Sequence, residues 1–262
     1  MHSSFDVSPH QILWTLAFAA QLVLLVVLLG RDRARRFPWF TAGIVLFALR
    51  MMAEVLLSGR MAMLPLQEVL LTMNDIAVIV SLMVVIEAAW QSFAGAGRLT
   101  WINGSMALLL VAVVAVLFWS PWPDWKSLVP ETLLGRLQLM QLGVQKGNLL
   151  VNVLMVQLGL LVVLFGHRFK AGWRTHPQMI VIGLSTVAIV WLAIQGMWQN
   201  ISRTAHPASR QEYQHLFHLG NLLMNVNDGV YLAASLWWIA WLWLEEPGRP
   251  VAGGESLAGN KR

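Results

Sequence analysis

The feature that most constrains this chain is the recurrence of apolar runs long enough to cross a hydrocarbon core, which takes about 20 residues of helix. His10–Gly30 is nearly all aliphatic, and further runs follow at about 39–57, 67–92, 101–119, 130–166, 178–199 and 210–244. Backbone N–H and C=O groups have no water to bond in lipid, so each run must satisfy its own backbone as a helix. Charged residues make up 12% of the chain and hydrophobic ones 57%, about half the charge of a soluble domain. The expected fold is all-α: a polytopic membrane bundle of seven transmembrane helices, residues 1–246 forming one domain. The tail 247–262, rich in Gly and Pro, reads as disordered.

The loops set the orientation. Those after the first, third and fifth spans carry Arg31, Arg33, Arg35, Arg36, Arg98, Arg168, Lys170 and Arg174, whereas those after the second, fourth and sixth carry Arg60, Lys126, Arg136, Arg203 and Arg210. By the positive-inside rule the C-terminus is cytoplasmic and the N-terminus lies outside. Residues 1–8 lack a basic segment ahead of the first apolar run, so that run is expected to stay as a span rather than be cleaved. Neither tail is long enough for a fused catalytic domain. With no cysteine, the chain has no disulfide, thiolate metal site or cysteine nucleophile. Many of its 14 tryptophans fall near span ends, where an aromatic belt belongs. The fourth span is almost purely apolar and should be the most lipid-exposed, and the fifth is longer than a bilayer needs, so its first turns should project.

Against this background one stretch stands out. In Gln211–Ser235 the residues Gln214, His218, Asn221, Asn225, Asp228 and Ser235 recur at steps of three, four and seven, a single stripe on a helix. Polar groups are costly in hydrocarbon, so such a stripe is expected to face protein or water. The fifth span contains a related segment. GNLLVNV at Gly147–Val153 matches GNLLMNV at Gly220–Val226, with Gln138, Gln141 and Gln145 opposite Gln211, Gln214 and His218. EVLLTMND at Glu68–Asp75 aligns with NLLMNVND at Asn221–Asp228. Equivalent positions are then Glu68, Asn148 and Asn221; Thr72, Asn152 and Asn225; and Asp75, Met155 and Asp228. The repeat predicts three polar walls at similar depth on helices three, five and seven.

Asn and Gln between membrane helices ordinarily bond neighbouring helices, at about 0.6–2 kcal/mol each. An ionised carboxylate needs a cation, a proton or water. Arg50 stands four residues before Glu54 and is positioned to pair with it, and Lys146 to snorkel toward the boundary. Asp75 and Asp228 are then the least explained charges. The candidate ligand-binding set is Glu68, Asp75, Asn148, Asn152, His218, Asn221, Asn225 and Asp228, lining an outward-facing cavity for a small polar ligand. The lipid bilayer is the expected surrounding, with a membrane or cytoplasmic signalling partner and no nucleic acid.

Other chemistry fits less well. His215 and His218 form an H-x-x-H pair able to start a zinc site with Asp75 or Asp228, and the arrangement resembles the ceramidase-type seven-helix hydrolases. Those enzymes space their final histidines as H-x-x-x-H, and no serine–histidine pairing occurs on the second or third span. Bridging haem wants histidines at matched depth, but His2, His10, His167, His176 and His206 lie at or beyond span ends. A retinal Schiff base wants a lysine on the seventh span, which has none. No cofactor is indicated and no enzymatic activity is expected. A proton-coupled transporter using Asp75 and Asp228, or a scaffold subunit of a membrane complex, are the alternatives to a receptor.

The Phe37–Phe40 segment, FPWF, after an arginine-rich loop, together with the NLLxNV helices, resembles uncharacterised seven-helix bacterial inner-membrane proteins. The pattern of spans is also similar to the seven-helix sensory modules of bacterial signalling proteins. The resemblance implies a receptor-like topology and carries over no catalytic residue.

Overall fold

Helix boundaries follow local punctuation. Pro38 occupies the first turn of a helix over Pro38–Ser58, where its missing N–H costs nothing. Pro177 does the same for His176–Thr204. Ser209 caps Arg210–Trp243 by accepting from the backbone N–H of Glu212 (3.2 Å), the Ser-x-x-Glu signature of a helix start. The first helix closes differently. Asp32 takes a left-handed conformation (φ 54°), and Arg33 N–H turns back to Leu28 C=O at 2.8 Å. That bond satisfies a carbonyl the helix end would otherwise leave open.

The computed structural model describes residues 9–93, 98–119, 122, 132–165, 175–205 and 209–245. Among these residues it is all-helical: α1 (Pro9–Gly30), α2 (Pro38–Ser58), α3 (Met63–Ser92), α4 (Arg98–Trp119), α5 (Leu133–Phe165), α6 (His176–Thr204) and α7 (Arg210–Trp243). Five of the helices, α1, α2, α3, α5 and α6, are long and apolar enough to cross a membrane, and the described side chains of α4 form a shorter apolar stretch, Met106–Trp119. The outer surface agrees with a lipid setting, for Val26, Leu110, Phe118 and Leu164 are all more than 60% exposed. The tail 247–262 and the basic residues Lys126, Arg168, Lys170 and Arg174 lie outside the described residues.

The helices form a ring in the order α1, α2, α3, α5, α6, α7, with α3 and α6 meeting across it and α4 packed outside the ring on α5, its Trp119 reaching Gly196 of α6. That peripheral position is the one its apolar sequence leads one to expect. Among the described residues the α7 backbone packs on those of α1 and α6 and does not approach those of α3 and α5, which α7 faces across a shared cavity. A helix's polar face is written in its sequence, but the neighbour that face meets is a property of the whole ring.

Small residues set the close approaches. Gly143 and Gly147, one turn apart on α5, meet the Asp75 carboxylate and Val78 of α3. Gly159 of α5 admits Ser185 of α6, whose hydroxyl lies 2.8 Å from Met155 C=O on α5 and 2.7 Å from Val181 C=O on its own helix. Gly183 of α6 admits the indole of Trp238 on α7. Without a hydrophobic drive between helices in lipid, contacts of this kind supply the packing. The α1–α7 seam adds a polar link: Gln21 Nε2 donates to Ser235 Oγ (2.7 Å), both side chains fully buried, and Ser235 Oγ donates to Tyr231 C=O (2.8 Å).

The contiguous apolar core sits toward one end of the bundle, the end bearing the α1–α2 turn. It draws on Leu24 and Leu28, Phe40 and Ile44, Val84 and Ala88, Met155 and Leu158, Ile180 and Val181, and Trp238 and Leu242. Toward the opposite end lie the exposed first turns of α7 and the exposed Gln138, Gln141 and Gln145 of α5.

Candidate functional site

Phe37 stands at the N-cap of α2, and its side chain cannot accept a hydrogen bond. The cap comes from another helix. Glu87 of α3 accepts from Phe40 N–H (2.9 Å) and Trp39 N–H (3.2 Å), placing a carboxylate at the positive end of the α2 dipole. One turn on, Gln91 Nε2 donates to Arg36 C=O (2.6 Å). These two contacts fix the start of α2 against the end of α3 and so fix which α2 residues turn inward.

Above that clamp lies an interior cavity of about 220 Å³, walled by α2, α3, α5, α6 and α7. Its floor is apolar, with Phe40, Ile44, Val84, Met155 and Trp238. One to three turns further from the α1–α2 turn the lining becomes polar, with Arg50, Ser81, Asn148, Asn152 and Tyr231. Asn152 Nδ2 donates to Asn148 C=O (2.8 Å), a back-bond within α5. The α2 and α7 backbones do not meet among the described residues, and rings close the gap instead. Phe47 meets Tyr231 at a tilt, 4.7 Å between centroids, Phe40 meets Trp238 edge-on at 5.2 Å, and Tyr231 meets Trp238 at 6.5 Å.

Arg50 is the one cation of the lining, and no carboxylate lines the cavity. The expected Arg50–Glu54 pair does not form: Glu54 is exposed, and Arg50 has neither an ion pair nor a hydrogen bond among the described residues. Its Nε is buried without a partner. The two groups sit one turn apart, but Arg50 turns into the bundle and Glu54 out of it.

Of the residues singled out by the sequence, Asn148 and Asn152 line the cavity. Asp75 is half-buried on α3 with a carboxylate oxygen facing Gly143, and Glu68 is half-buried further from the α1–α2 turn. Asn225 and Asp228 are half-buried on α7, and Asp228 stands one turn before Tyr231. His218 and Asn221 are exposed, and none of these six lines the cavity. Ser235 serves the α1–α7 seam. Equivalent positions of the proposed repeat agree in one respect: Thr72, like Asn152, bonds the carbonyl four residues earlier, at 2.8 Å. His215 is exposed on α7, and no three His, Asp or Glu side chains converge as a metal site among the described residues. Lys146 is buried along its stem and carries its ammonium to 4.5 Å from the centre of the Trp122 ring, beyond the end of α4. His176 Nε2 lies 3.1 Å from Leu244 C=O, tying the start of α6 to the end of α7.

Sequence reasoning did not single out Ser81, Tyr231 or the aromatic wall. Tyr231 carried a usable signal, since it continues the α7 stripe one turn past Asp228. Ser81 carried none beyond being a hydroxyl in an apolar run. No protein-family model, curated protein or solved structure matches the chain.

Proposed function

We propose that this chain is a seven-span bacterial inner-membrane protein with its N-terminus outside, and that it binds a small ligand in the interior cavity as a receptor- or sensor-like module. The observation that carries this reading is the cavity itself: Arg50, Ser81, Asn148, Asn152 and Tyr231 converge on one apolar-floored space within a helix bundle. Polar side chains are expensive at such a position unless water or a ligand uses them. The remaining two spans are α4 and α7, whose lengths of 22 and 34 residues are sufficient. Five helices contribute to the walls, so an occupant is positioned to bias helix packing, the usual route from binding to signal.

The cysteine-free chain allows a direct test. Ser81→Cys should react with a small methanethiosulfonate reagent, while Leu158→Cys in the packed core should not. Native mass spectrometry of the purified protein should show a retained small molecule that is lost in Gly43→Leu, which fills the cavity. Equal inertness of both cysteines, with no retained mass, would falsify the reading.

A further inference from the structure

Arg50 presents a cation to a cavity whose described lining holds no carboxylate. Among the described residues Arg50 has no partner, and its buried Nε is unbonded. Around it the lining supplies hydroxyl and amide donors from Ser81, Asn148 and Tyr231, none of which makes a side-chain hydrogen bond among the described residues. Toward the α1–α2 turn the same space ends in Phe40, Ile44, Val84 and Met155. The cavity is therefore charged at one end and greasy at the other.

From this we infer that the cavity takes a small organic monocarboxylate, its charged head on Arg50 and its apolar body toward the Phe40–Met155 floor. The guanidinium fork matches a carboxylate in two parallel hydrogen bonds, and such bonds gain strength away from water. Size admits this class, since the 220 Å³ has room for a short-chain acid. An unpaired guanidinium at this depth costs stability, and an arriving carboxylate supplies the missing partner. The empty protein and the occupied one therefore respond to loss of Arg50 in opposite directions.

This inference rests on the cavity being a binding site, and the test separates the two ideas. The full chain in lipid nanodiscs is titrated with radiolabelled hexanoate, with hexanamide as the uncharged competitor of the same shape. The expected result is saturable hexanoate binding, with hexanamide about tenfold or more weaker. R50K should keep that preference. R50M, with R50Q as its replacement should the first not fold, should bind acid and amide alike, and without ligand should melt above wild type. Acid and amide binding equally to wild type, or a preference surviving in R50M, would overturn the carboxylate inference and leave the cavity reading standing. Hexanoate failing to bind also overturns it. The cavity reading falls only if Ser81→Cys proves as unreactive as Leu158→Cys.

Discussion

The carboxylate of Glu87 on α3 caps the backbone N–H of Phe40 on α2 at 2.9 Å, although 47 residues separate them in the chain. A helix start needs an acceptor, and α2 has Phe37 where a Ser or Asp would stand. Glu87→Ala should therefore destabilise the protein by about 1–2 kcal/mol. Glu87→Gln should cost less, since an amide carbonyl still accepts one bond. Thermal melting in detergent checks this, and an unchanged melting point for Glu87→Ala would remove the cap from the account.

The buried Gln21–Ser235 bond is the polar link identified in the α1–α7 seam. Gln21→Leu and Ser235→Ala should each weaken the bundle, and the double mutant should cost less than their sum. The coupling energy expected of such a membrane hydrogen bond is about 0.6–1.7 kcal/mol. A cycle that closes at zero would reduce the contact to geometry without energy.

Gly183 gives the Trp238 indole its seat. A methyl group there meets the ring directly, so Gly183→Ala should cost about 1–3 kcal/mol. In a Trp238→Phe background the same change should cost much less. Gly229 has open space around it, so Gly229→Ala should be neutral or stabilise by about 0.5–1 kcal/mol. Equal effects at the two glycines would contradict the packing described.

The proposed orientation, N-terminus outside, predicts a fixed alternation of reporter signals. Fusions in the α1–α2 turn and at Lys170 should report the cytoplasm, and fusions at Arg60 and His206 the outside. Residue 170 found outside would reverse the whole arrangement.

The helices themselves were legible in the sequence. Apolar runs place the boundaries within a few residues, as 39–57 against Pro38–Ser58 illustrates, while Pro177 and the Ser209–Glu212 signature were signals left unread. Legibility stopped at the ring order. The α7 stripe divides, with Ser235 fully buried, Asp228 half-buried and His218 exposed. A period of 3.6 assigns residues to a face, but the neighbours of that face change along the helix. Arg50 shows the same limit. Spacing to Glu54 suggested an internal pair, whereas the Arg50 side chain lines the cavity and Glu54 is exposed. The cavity residues Asn148 and Asn152 were found because amides stand out in an apolar run. The rings that face them did not, because Phe and Trp are ordinary membrane residues.

Those rings separate two kinds of boundary around one space. Where α3, α5 and α6 meet around the cavity, side chains seat directly on glycines, Val78 on Gly147 and Ser185 on Gly159, and enlarging the opening there means sliding a helix. Between α2 and α7 the described contacts are ring on ring, Phe47 with Tyr231 and Phe40 with Trp238. Of these, Phe40 and Trp238 are held in the packed core, whereas Phe47 and Tyr231 are only partly buried. The cavity thus has glycine-seated walls on one side and a seam of rings on the other.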